Sequence, residues 1–148
     1  MASPSEKSES PERPISRWLP AALLCGAVYS AVGIGFAFLD RSGIPAVPHF
    51  WRFAAWVVSA VVFAAHTIRE AQRPAATSFR AALHVAIAAA LGAFLLAVWI
   101  LVHSRVRGAP INPYAILALV VFPLVTGIPA YAVALAATTF LGRARGPR

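Results

Sequence analysis

Between residues 49 and 103 the chain reads HFWRFAAWVVSAVVFAAHTI (49–68), REAQRPAATSFR (69–80) and AALHVAIAAALGAFLLAVWILVH (81–103). Two long apolar arms are folded back on a short basic link. A peptide group left unpaired in hydrocarbon is costly, so a segment that crosses a bilayer must be a helix or part of a closed barrel. Each arm supplies about 20 mainly apolar residues, the length a helix needs to cross roughly 30 Å of hydrocarbon. No charge lies near the middle of either arm. A soluble core helix of this length would carry a polar stripe at helical spacing, and neither 54–65 nor 85–101 has one. The stretch reads as a membrane hairpin.

Composition agrees. Of the 148 residues 59% are hydrophobic and 12% charged, with a mean hydropathy of +0.72. Soluble domains carry about 25% charged residues, so this balance belongs to an integral membrane protein of one domain. The net charge of +8 resembles a nucleic-acid signal only until the basic residues are placed. They fall in links and tails beside apolar runs, where Lys and Arg orient helices and meet lipid head groups. No nucleic-acid motif accompanies them, so the lipid bilayer is the expected partner and nucleic acid is not. The single cysteine, Cys25, excludes an intrachain disulfide, a CxxC redox centre and a cysteine zinc site. It lies in an apolar run, where free cysteine behaves as a small hydrophobe, away from the cationic, partly exposed setting of a reactive thiol.

Outward from the hairpin, residues 1–16 are mostly Ser, Pro and Glu, a composition expected to form a disordered cytoplasmic tail. Glu6, Glu9 and Glu12 offset Lys7 and Arg13 there, unlike the n-region of a signal peptide, so the first apolar run is expected to remain as an anchor. Helices are predicted at about 18–39, 50–70, 80–103 and 114–141. They make an all-α transmembrane domain over 17–142, a bundle of four helices, with 143–148 as a basic cytoplasmic tail. With both termini inside, nine basic residues lie on the inner side and Arg41, Arg52, Arg105 and Arg107 on the outer, which favours that orientation. Twelve of the thirteen basic residues are Arg, a bias that points to a bacterial inner (plasma) membrane.

The first helix carries small residues at Ala27, Ala31 and Gly35, and again at Gly26 and Ser30, the spacing that lets two membrane helices approach closely. These are candidate helix-packing positions. They serve either the chain's own neighbours or self-association.

Candidate chemistry is sparse. Only five acidic residues exist, three of them in the tail, leaving Asp40 at a helix end and Glu70 in the inner link. Proton-coupled carriers and intramembrane hydrolases need an ionisable or nucleophilic group at depth, and no charged one is offered. Glu70 reads as an exposed ion pair among Arg69, Arg73 and Arg80. His66 and His84 share the inner depth and His49 and His103 the outer, so paired histidines are candidate ligands of a b-type haem. At about 100° per residue, however, His49 and His66 are some 100° out of line, as are His84 and His103, which disfavours two stacked haems. One haem between His66 and His84 is the remaining form of that idea, against interfacial histidines bonded to water or head groups. No catalytic residues and no metal site are expected.

In the fourth helix, Pro123 and Pro129 free the carbonyls of Leu119 and Val125, with Thr126 and Gly127 between them. This pattern predicts a bend, and it suits either a small polar transport site or plain packing with Thr126 bonded back to Phe122. The function expected first is a small non-enzymatic membrane protein of accessory or assembly type, partnered by another membrane protein or its own copies. The alternatives are an oligomeric small-solute transporter built on the bent fourth helix and a haem-bearing electron-transfer subunit.

Overall fold

The computed structural model describes residues 18–41, 49–73, 77–110 and 112–144. The tail assigned to 1–16 and most of the basic tail at 143–148 lie outside them. The chain forms α1 (Leu19–Arg41), α2 (Phe50–Ala71), α3 (Ser78–Val106) and α4 (Pro113–Ala144), with no strand among the described residues. All four helices are long and apolar enough to cross a membrane.

Helix ends follow local chemistry. α3 begins two residues before the sequence-based estimate because the Thr77 hydroxyl accepts a bond from the Arg80 amide (3.3 Å), capping one of the four amides that a helix start leaves unpaired. α4 opens with Pro113 in its first position, where the missing N–H costs nothing, and Asn112 Oδ1 accepts from the Tyr114 amide (2.9 Å). Beyond the end of α3, Gly108 has a φ of +77°, the left-handed conformation that closes a helix and suits glycine. α2 is entered through His49 at φ 68°, a left-handed conformation uncommon for a side-chain-bearing residue. α4 continues as one helix through Pro123 and Pro129.

α3 is the central element. It packs against α1, α2 and α4, while α1 and α4 do not meet each other among the described residues. Its buried positions are nearly all small, including Ala81, Ala82, Ala88, Ala89 and Gly92, so neighbouring backbones can come close. Without water between helices, such close packing is the main source of their association in a bilayer. Ala82, Val85 and Ala134 form the tightest core, backed by Phe63, Tyr131 and Leu135. Thr138 Oγ1 is within reach of the Ala134 carbonyl (2.8 Å) and of the Ser78 carbonyl (3.3 Å), which ties the end of α4 to the start of α3. Large apolar side chains instead cover the outside, among them Leu24, Phe53, Trp56, Val125, Ile128 and Phe140. A surface of this kind is a liability in water and the ordinary solvent-facing side in lipid.

Candidate functional site

Two regions hold the polar and small residues singled out in the sequence: the ends of α1, α2 and α3 where Trp18, Glu70 and His84 meet, and the two faces of α1.

At the first region, the last turns of α2 bury His66, Thr67 and Glu70, with His66 and Glu70 four residues apart on one face. Glu70 is only 1% exposed. Its two carboxylate oxygens are both engaged: Arg73 Nε donates to Oε1 (3.1 Å) and His84 Nδ1 lies 3.1 Å from Oε2. The His84 ring in turn stacks flat on Trp18, with centroids 4.5 Å apart and planes 2° from parallel. A carboxylate taken out of water is tolerated only where its lone pairs are matched, and here Arg73, just past α2, and His84 of α3 match them while Trp18, just ahead of α1, stacks on His84. The expectation of an exposed Glu70 pair is therefore corrected. The Arg73 contact is the three-residue spacing visible in the sequence, but the contact with His84 of α3 is one that local spacing does not reveal.

His66 is 4% exposed, and its Nδ1 lies 3.3 Å from Cys25 Sγ on α1. Its Nε2 is buried without a hydrogen-bond partner among the described residues, as is the Tyr29 hydroxyl one turn beyond Cys25. Thr67 is satisfied within its own helix, its hydroxyl donating to the Phe63 carbonyl (2.8 Å). Cys25 is thus not surrounded by hydrocarbon alone, as its sequence context suggested. The polar side chains of this end form a line from Cys25 through His66 to Glu70 and His84.

As haem ligands, His66 and His84 are brought to the same end of the molecule but are aimed at different partners. Axial ligation would require one ring nitrogen of each, facing across a slot wide enough for a porphyrin. Here His84 is held between Glu70 and the face of Trp18, and His66 is turned to Cys25. The donor set fits a packed polar cluster better than it fits haem. No group of three or more His, Cys, Asp or Glu side chains among the described residues has metal-binding geometry. At the opposite end, His103 stacks on Trp99 (4.9 Å, 13°).

The two faces of α1 are used differently. Gly26 and Ser30 are buried against α3. A methyl group on Gly92 would lie 2.7 Å from Tyr29 Cβ and 3.1 Å from the Gly26 carbonyl, and one on Gly26 would lie 3.0 Å from Leu91 Cδ2. Ser30 Oγ is 2.9 Å from the Gly92 carbonyl and 3.1 Å from that of Gly26, so one hydroxyl proton serves an acceptor on each helix. Ala27, Ala31 and Gly35, by contrast, are exposed. A methyl group on Gly35 would meet nothing within 4 Å. Leu23, Leu24, Val28 and Phe38 stand beside this small-residue strip as exposed large side chains.

In α4, Gly127 marks the close approach to α3, since a methyl group there would lie 3.1 Å from Ala90 Cβ. Thr126 lies in the wall of a cleft of about 500 Å³ lined also by α1, α2 and α3. That wall is almost wholly hydrocarbon, with Tyr29 and Ser59 the other hydroxyl-bearing residues. Pro123 is partly covered and Pro129 exposed. The cluster at the Glu70 end therefore draws on none of the α4 candidates.

No family model matches the chain, and comparison with curated proteins and with solved structures likewise gives no match.

Proposed function

We propose that this chain is a non-enzymatic multi-pass membrane protein of accessory or assembly type, a four-helix bundle of the bacterial inner membrane with both termini in the cytoplasm. It acts by presenting the outer face of α1 to another membrane helix. The observation that carries the reading is the exposure of Ala27, Ala31 and Gly35 while the opposite small-residue face is consumed by α3. A strip of small residues flanked by Leu24, Val28 and Phe38 lets a second backbone approach closely and gives its side chains walls to pack on. The excess of Lys and Arg in the tails and in the 69–80 link supports the orientation.

The two other readings draw less support. A small-solute carrier around Pro123, Thr126, Gly127 and Pro129 would need a hydrated path, and the cleft beside Thr126 is walled by hydrocarbon. A haem subunit would have to release His66 from Cys25 and His84 from Glu70. The purified protein, air-oxidised and then reduced with dithionite, is expected to show no Soret band. A band lost in His66→Ala or His84→Ala would reinstate that reading.

Photocrosslinking tests the assembly surface. With benzoylphenylalanine replacing Ala31, irradiation of native membranes is expected to give a discrete protein adduct, either with a second copy or with another chain. The same probe at Val125, which is 65% exposed on α4, is expected to label lipid. Lipid labelling alone at both positions would remove the proposal.

A further inference from the structure

The 500 Å³ cleft does not end in hydrocarbon. A second cavity of about 370 Å³ shares three wall residues with it, Gly33, Ala55 and Trp56, and is lined further on by Asp40, Arg41 and Arg52. The two adjoin at those residues as one slot whose mouth lies between α1 and α2 and whose deeper walls come from α3 and α4 as well. Its deep part is bounded by Tyr29, Ala60, Phe63 and Leu96, and its mouth by charged side chains at the last turn of α1 and the first turn of α2.

The chemistry changes along the slot as it does along a phospholipid. The deep part is wide enough for a hydrocarbon chain and offers a hydrated solute almost nothing to bond, whereas the mouth offers two guanidinium groups against one carboxylate. Arg52 Nη2 reaches Asp40 Oδ2 at 3.4 Å, a long contact between side chains 68% and 34% exposed. An exposed pair of this kind is weak, so Arg52 can turn to a stronger anion at little cost. Guanidinium groups match the oxygens of a phosphate in geometry as well as charge.

We propose that the α1–α2 slot binds one anionic phospholipid, with an acyl chain along Ala55, Ala60 and Phe63 and the phosphate between Arg41 and Arg52. This site is independent of the assembly face on α1 and stands whether or not that reading holds. Its net charge of one, from Arg41 and Arg52 against Asp40, gives about a fivefold preference for an anionic over a zwitterionic head group.

The test is native mass spectrometry of the whole protein released from micelles containing equal amounts of dioleoylphosphatidylglycerol and dioleoylphosphatidylcholine. The wild type is expected to retain one lipid, with the anionic species favoured about fivefold. Arg41→Gln/Arg52→Gln should bring the two lipids to parity. Arg105→Gln/Arg107→Gln removes the same charge from the neighbouring end of α3 and should leave the preference intact. Ala55→Trp, placed where the two cavities join, should abolish retention of either lipid. Equal retention by the wild type, an unchanged preference in the first double variant, or an equal loss in both double variants would overturn the proposal. The exposed arginine variants keep the test decisive if Ala55→Trp does not fold.

Discussion

Two faces of α1 are built from the same kinds of residue and meet opposite fates. Gly26 and Ser30 are pressed against Gly92 of α3, where the helices leave no room for a methyl group, whereas Ala27, Ala31 and Gly35 face outward and Gly35 has open space around it. Small residues four apart permit close approach on either face. What separates the faces is the partner. α3 offers a matching glycine and a carbonyl for the Ser30 hydroxyl, and nothing among the described residues does the same for the outer strip. The same spacing thus occurs once at a helix contact within the fold and once on an exposed face, the one proposed above as an assembly surface.

Substitutions can break the comparison on the buried side first. Gly92→Leu would force side-chain atoms into Tyr29 and the Gly26 backbone, and overpacking of this severity costs on the order of 3 kcal/mol. Thermal unfolding in detergent should show the variant strongly destabilised or not recovered at all. Glu70→Ala acts on the other contact between helices, leaving Arg73 and His84 without their carboxylate, with a loss of about 3 kcal/mol expected for breaking a buried pair. Replacing Trp18, which covers His84 without bonding to Glu70, should cost less than Glu70→Ala in the same melt. Ser30→Ala, which deletes one shared hydroxyl proton, should cost about 1 kcal/mol.

At the small end of the scale, Arg52→Ala removes only an exposed pair and should change the melting profile by less than about 0.5 kcal/mol in lipid-free detergent. A large effect there would mean that the Arg52 end of α2 is held as firmly as the Glu70 end. A small one would uphold the contrast between a carboxylate that is buried and bonded from two sides and an ion pair that is long and open.

The helices themselves were legible because the rules that specify them are local. Length, hydropathy and the absence of central charge marked all four; Thr77 and Asn112 cap the starts of α3 and α4 just ahead of the expected positions, and α1, α3 and α4 run two or three residues past their expected ends. Their packing was less legible. Glu70 reads as an exposed charge because its sequence neighbours are arginines, while His84, which bonds it, is 14 positions away and Trp18, which stacks on His84, is 52 away. Cys25 and His66 are likewise 41 residues apart and no periodicity joins them. In α4 the sequence points to Pro123 and Pro129, yet the contacts that seat this helix on α3 are those of Gly127, Ala134 and Thr138. The charged mouth at Arg41 and Arg52 also escaped notice, because each arginine alone looks like an ordinary interfacial anchor.

The outer face of α1 is proposed above as an assembly surface. The most direct measurement is the mass of the complex that the chain forms when extracted from its native membrane, compared between wild type and an Ala27→Leu/Ala31→Leu/Gly35→Leu variant. These side chains should be accommodated by the chain itself, since the strip is exposed and a methyl group on Gly35 would meet nothing within 4 Å among the described residues. The account predicts a wild-type complex larger than a single chain, containing further copies or another membrane protein, and a folded variant recovered alone. A wild-type chain that runs alone, or a variant that keeps the same complex, would contradict it.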